Sequence, residues 1–148
     1  MIRLLFNLVY KLKPAMDYTE IHNKYTTKTY KLGDHLFFDK AFDTPGFSHH
    51  GVYCGYNKVI HFWAPSSEKN KDSASVQYMN IKDFEKLARQ RGSRVYVVDH
   101  GDERVPRRES VKRARQELGY GDYNALTNNC EHFVNHCILS QRRSFQVE

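Results

Sequence analysis

The 148-residue chain contains no run approaching about 18 consecutive apolar residues, so no segment reads as a bilayer-spanning helix. It has only three cysteines, Cys54, Cys130 and Cys137, and no Cys-x-x-Cys spacing. An odd count without paired spacing argues against a disulfide framework and fits a reducing compartment, so a cytoplasmic location is expected. Eight glycines and four prolines are too few for a collagen-like or linker-dominated chain. Internal repeats and low-complexity tracts are absent as well. What is present is a 14% aromatic and 40% hydrophobic composition, enough for one packed core and incompatible with a disordered tail. Lys and Arg number 23 against 17 Asp and Glu, a net charge of +6.

That positive charge is concentrated in two places. From Met1 to Lys13, Arg3, Asn7 and Lys11 recur at helical spacing as a narrow polar stripe, and Ile2, Leu5, Leu8, Val9 and Leu12 cover the rest. A cleaved signal peptide is a poor reading, because Asn7 interrupts the apolar run and Lys11 and Lys13 stand where small residues belong. Such a helix either docks on its own domain or lies in a membrane interface, where its cations favour anionic lipid. Residues 103–115 hold six basic and two acidic side chains. Val111, Ala114 and Leu118 give this segment an apolar stripe, and Glu109, Arg113 and Glu117 are spaced for i, i+4 pairs. The expected form is a surface helix with a solvated basic face; a nucleic-acid site is not favoured.

Periodicity predicts strands at residues 35–38, 49–53, 58–63, 75–79 and 94–98, and helices at 81–90, 109–118 and 129–139. Turn signals stand at Leu32-Gly33-Asp34 and Asp43-Thr44-Pro45-Gly46, with a polar loop over 65–72. Strands that precede most of the helices argue for an α+β fold built on an antiparallel sheet. Residues 1–30 read as an appendage to a single domain at 31–148.

One cysteine is placed for chemistry. In Thr127-Asn128-Asn129-Cys130-Glu131 an Asn caps a helix, so Cys130 falls in the first turn, where free amides and the helix dipole favour a thiolate. Glu131 opposes this slightly. A nearby imidazole would take the thiol proton, and the backbone amide of Cys130 itself is a candidate oxyanion donor. The candidate imidazoles lie on a hairpin. A three-residue loop Cys54-Gly55-Tyr56 puts His49 directly opposite His61, whereas a two-residue turn puts His50 on the face of His61. The first register supplies a base, His49, and a second imidazole, His61, to orient and polarise it. Tyr53 shares the face of His49 and borders such a site, as does Asn129 on the helix. The plain alternatives are a buried, inert Cys130 and histidines that serve only packing.

The run His49-His50-Gly51-Val52-Tyr53-Cys54-Gly55, followed by Lys58-Val59-Ile60-His61-Phe62, resembles the H-box of the lecithin–retinol acyltransferase-like family. Asn129-Cys130-Glu131-His132-Phe133-Val134 resembles that family's NC box. Leu32-Gly33-Asp34-His35, Arg113 to Gly119 and Ser144-Phe145-Gln146-Val147 resemble its flanking segments, so the likeness covers residues 31–147. It implies a circularly permuted relative of the NlpC/P60 and papain-like domains. It also implies Cys130 as nucleophile, His49 as base and His61 as the second histidine. Attack on a phospholipid acyl ester would then give an acyl-thioester, discharged to water, an amine or an alcohol, with no cofactor. Two departures stand out. The chain reaches Glu148 where many relatives continue into a hydrophobic anchor, which leaves residues 1–13 as the candidate membrane contact. An insertion before the NC box is also missing, which disfavours retinol as acceptor.

Three other readings use the same residues. A thiol peptidase or amidase would need the same triad. A catalytically silent interaction protein would keep the boxes and use the basic surface for a protein or RNA partner. A zinc site at Cys130, His132 and His136 has i, i+4 histidines but no evident fourth ligand, and it would occupy the thiol.

Overall fold

A computed structural model of the chain describes residues 30–39, 48–63, 74–121 and 129–140. The helix expected over residues 1–13, the turn at 43–46, the loop at 65–72 and the stretch 144–147 lie outside these residues. Five strands form one sheet: β1 (His35–Asp39), β2 (Ser48–Tyr53), β3 (Lys58–Trp63), β4 (Ser75–Asn80) and β5 (Tyr96–Val98). Their order is β4-β3-β2-β1-β5, and every neighbouring pair is antiparallel. Three helices accompany the sheet: α1 (Ile81–Gln90), α2 (Arg107–Gln116) and α3 (Cys130–Leu139). The α+β class with an antiparallel sheet is as the strand-first order implies.

The sheet has a helical layer on each face, and strand alternation sorts the side chains between them. Val52, Ile60, Phe62 and Val76 join Val111 and Ala114 of α2 and Phe133, Val134, Cys137 and Ile138 of α3 in one cluster. Leu36, Phe38, Tyr53, Val59 and Val97 join Ile81, Phe84 and Ala88 of α1 in the other. Helix α1 occupies the residues its periodicity predicts; Asn80 caps it by accepting from the Lys82 amide, and Ile81, Phe84 and Ala88 form its buried stripe. Helix α2 starts two residues earlier than the pattern suggests, because Pro106 supplies a fixed φ at the N-cap, and it ends two residues earlier. Strand β5 is also shorter than expected.

The β2–β3 hairpin decides which histidines meet. Its loop has three residues, but they are Gly55-Tyr56-Asn57, one position later than Cys54-Gly55-Tyr56. All three have positive φ (82°, 51° and 60°), and Cys54 donates to the Lys58 carbonyl at 2.8 Å. Moving the loop by one residue moves the pairing by two. His61 therefore faces Gly51, not His49. Parity survives that shift, so His49 and His61 still share a face, as diagonal neighbours.

Candidate functional site

His49 Nε2 and His61 Nδ1 are hydrogen-bonded at 2.8 Å. Gly51 makes the diagonal contact possible. A Cβ there would lie 2.6 Å from Val59 Cγ1 and 3.4 Å from His61 Cβ, so a side chain would fill the space across which the two rings reach. Both rings are buried among aromatics of the α1 face: Phe84 lies against each, Phe38 against His49, and Trp63 is stacked on His61. Burial pushes His61 down to about 3, so this ring is neutral at physiological pH. Its Nε2 is buried with no hydrogen-bond partner among the described residues.

Cys130 occupies the first helical position of α3, as the capping signal predicts. Asn129 is the N-cap; its Oδ1 accepts from the Glu131 and His132 amides at 2.9 and 3.0 Å. His132 Nδ1 accepts from the Asn129 amide at 3.1 Å and closes a capping box. This holds the helix start rigidly while the cap spends the Glu131 and His132 amides rather than that of Cys130. The Cys130 thiol is 4% exposed and donates to the Ser48 carbonyl at 3.7 Å. The nucleophile candidate thus touches the main chain one residue before the base candidate. Here β2 has run past its ladder with β3, whose paired residues on β2 are Gly51–Tyr53.

A second histidine system lies on the opposite face of β2, under α3. His100 Nε2 bonds His35 Nδ1 at 2.8 Å, and His35 Nε2 bonds His50 Nδ1 at 2.7 Å. His50 Nε2 then bonds Ser48 Oγ at 2.6 Å and stands 3.9 Å from Glu131 Oε2. Burial pushes His35 well below the usual imidazole range, with His50, His100 and Arg104 adding to the effect. Burial also takes His100 down to about 4. In the sequence, His50 is a register alternative within the His49-His50-Gly51 run, and His35 is a strand residue at the end of Leu32-Gly33-Asp34-His35. Nothing local marks them as a chain, because β1–β2 and β1–β5 pairing brings them together.

The remaining candidates have assigned neighbours. Tyr53 is on the His49 face, but its hydroxyl accepts from the Asn57 amide at 3.1 Å at the turn end of the strand. His132 serves the cap and His136 stands 3.5 Å from Glu117, so the zinc arrangement has its histidines committed elsewhere. Among the described residues no three His, Cys, Asp or Glu side chains converge as metal ligands. Cys54 is buried, donates to the Val52 carbonyl and is pushed up to about 12 by burial; Cys137 is fully buried. The basic run is partly structural. Arg104 donates to the Gly33 carbonyl, Arg107 pairs with buried Asp34 at 2.7 Å, and Arg113 pairs with Glu109 and donates to Ser140 Oγ. Glu117 stands 3.5 Å from His136.

No described helix is long and apolar enough to cross a membrane. The chain is 30% identical over 128 residues to lecithin retinol acyltransferase of Rattus norvegicus, covering 69% of this chain and 53% of the rat protein. It is 27% identical over 139 residues to the Homo sapiens protein of that name, covering 76% of this chain and 56% of the relative. It is 36% identical over 127 residues to human phospholipase A and acyltransferase 2, covering 79% of this chain and 75% of that one. The chain thus spans about half the length of the lecithin retinol acyltransferases it matches. The family profile described as lecithin retinol acyltransferase matches residues 28–143, which take in the whole sheet, the paired histidines and the capped cysteine helix. With that much of the fold and both boxes inside the match, the chain belongs to the lecithin retinol acyltransferase family.

Proposed function

We propose that this chain is a cysteine-nucleophile acyltransferase or phospholipase that takes acyl groups from phospholipid esters through an acyl-thioester on Cys130. Residues 31–148 are its catalytic domain, and residues 1–13 are its candidate contact with the lipid surface. The observation that carries the reading is the His49–His61 pair, whose His49 follows directly on Ser48, the residue whose carbonyl receives the Cys130 thiol. His49 Nδ1 takes the thiol proton while its Nε2–H donates to His61 Nδ1. His61, kept neutral by burial, accepts that bond without taking the proton and so fixes the ring and supports the imidazolium. The Cys130 sulfur adds to the ester carbonyl, and the Cys130 amide donates to the oxyanion. The tetrahedral adduct expels the lysophospholipid alkoxide, which takes the proton from His49. Water or an acceptor amine or alcohol then attacks the thioester, its proton passes to His49, and the thiolate leaves.

Intact mass after incubation with phosphatidylcholine vesicles tests this. The expected result is an acyl adduct on Cys130 that hydroxylamine removes and that Cys130→Ala lacks. His49→Ala should slow its formation by about 10²–10⁴-fold. A folded protein that binds the vesicles and gains no adduct would overturn the assignment. Acylation by peptide or amide substrates alone would point to a peptidase.

A further inference from the structure

Cys130 has a buried carboxylate beside it in sequence: Glu131 is fully buried in the same helical turn. A negative charge so close works against a thiolate, and the helix start offsets only part of it. The His100–His35–His50 chain ends at that carboxylate. Burial keeps His35 and His100 neutral, so the row linked ring to ring through them has two orientations, with their N–H groups pointing one way or the other. In one, His50 Nε2–H faces Ser48 Oγ and Glu131; in the other, His50 Nε2 accepts from Ser48. Fixed charges choose between them. Glu131 at the inner end attracts the N–H ends of the row. Arg104, whose charge acts on both His35 and His100, attracts the lone-pair ends. Asp99 opposes it at His100, and less strongly than Arg104 acts there. Both dominant charges select the same orientation.

We propose that His50 is a positioning residue for Cys130. The histidine row, polarised by Arg104 and Glu131, holds His50 with its proton on Nε2, offsets the Glu131 charge and pins Ser48, whose carbonyl seats the thiol. This rests on Cys130 being the nucleophile. His49, bonded to His61, and His132, bonded within the capping box, are not members of the row.

The test is the pH dependence of Cys130 alkylation by iodoacetamide, read by peptide mass, which needs no acyl transfer. His50→Phe should raise the midpoint by about one pH unit, roughly tenfold less alkylation below it. His100→Gln, at the half-buried end, should raise it by less, and Glu131→Gln should lower it. In the unaltered protein, ¹⁵N NMR should find His50 as the Nε2–H tautomer. An unchanged midpoint in folded His50→Phe, even with a lower Tm, would overturn the proposal. So would an Nδ1–H tautomer at His50, or a Glu131→Gln midpoint equal to that of the unaltered chain. A Cys130 that follows these shifts but takes no acyl group would reject the proposed activity and leave the positioning role standing.

Discussion

At the scale of single residues, Gly51 shows how the absence of a side chain builds a site. It faces His61 in the ladder, and its missing Cβ leaves the diagonal open for His49. Gly51→Ala would put a methyl group 2.6 Å from Val59 Cγ1 in a close-packed interior. The expected cost is about 1–3 kcal/mol in denaturant unfolding, with acylation lost in excess of the stability change because the two rings are pushed apart. An alanine variant of wild-type stability and activity would show that the strands have slack. The three thiols are also told apart at this scale. Cys54 and Cys137 are buried away from any helix start, and the rise of Cys54 to about 12 leaves it inert at neutral pH.

At the scale of elements, α3 does two jobs with one N-terminus. Asn129 and His132 close the cap, and the closed cap presents Cys130 in the first turn. Asn129→Ala should cost about 1 kcal/mol, up to 2, in thermal or denaturant unfolding. It should also slow Cys130 alkylation at neutral pH, because a frayed first turn loses the aligned amides that favour the thiolate. A loss of stability with unchanged alkylation would separate the cap from the chemistry. The helix itself was legible: the Asn cap and the apolar positions 133, 134, 137 and 138 are local signals. Its depth was not. Glu131, His132 and Asn135 are buried too, so α3 is enclosed on nearly every side. Periodicity reports one apolar face, and the burial of polar side chains by tertiary packing is invisible to it. The hairpin behaved similarly: alternation made the strands clear, while the loop residues, and with them the pairing, depended on three successive positive φ angles that composition did not locate.

At the scale of the whole molecule, three imidazoles are held neutral by burial: His61 at about 3, His100 at about 4, and His35 well below its usual value. In the unfolded chain these rings titrate near 6.5. Between that pH and their folded values the unfolded state binds more protons, so folding stability is full above about pH 6.5 and falls as the solution is acidified. Each ring contributes a slope of at most about 1.4 kcal/mol per pH unit. Thermal unfolding followed from pH 7 to pH 4 should show a steep fall in Tm. His61→Phe should flatten it if the folded state tolerates the change, and His100→Gln at the half-buried end should flatten it less. A Tm independent of pH across this range would contradict the buried neutral rings.

The sequence by itself determined the antiparallel α+β architecture, the family, and the three chemical candidates Cys130, His49 and His61. These depend on periodicities of 2 and 3.6, a capping residue and two short motifs, all of which are local in the chain. Only the tertiary structure decided that His61 faces Gly51 and meets His49 on the diagonal. Only it joined His100, His35 and His50 across three strands' worth of pairing, and seated the Cys130 thiol on the Ser48 carbonyl. The reason is physical: register, burial and hydrogen-bond partners between residues 65 or 82 positions apart are set when the sheet closes and the helices cover it.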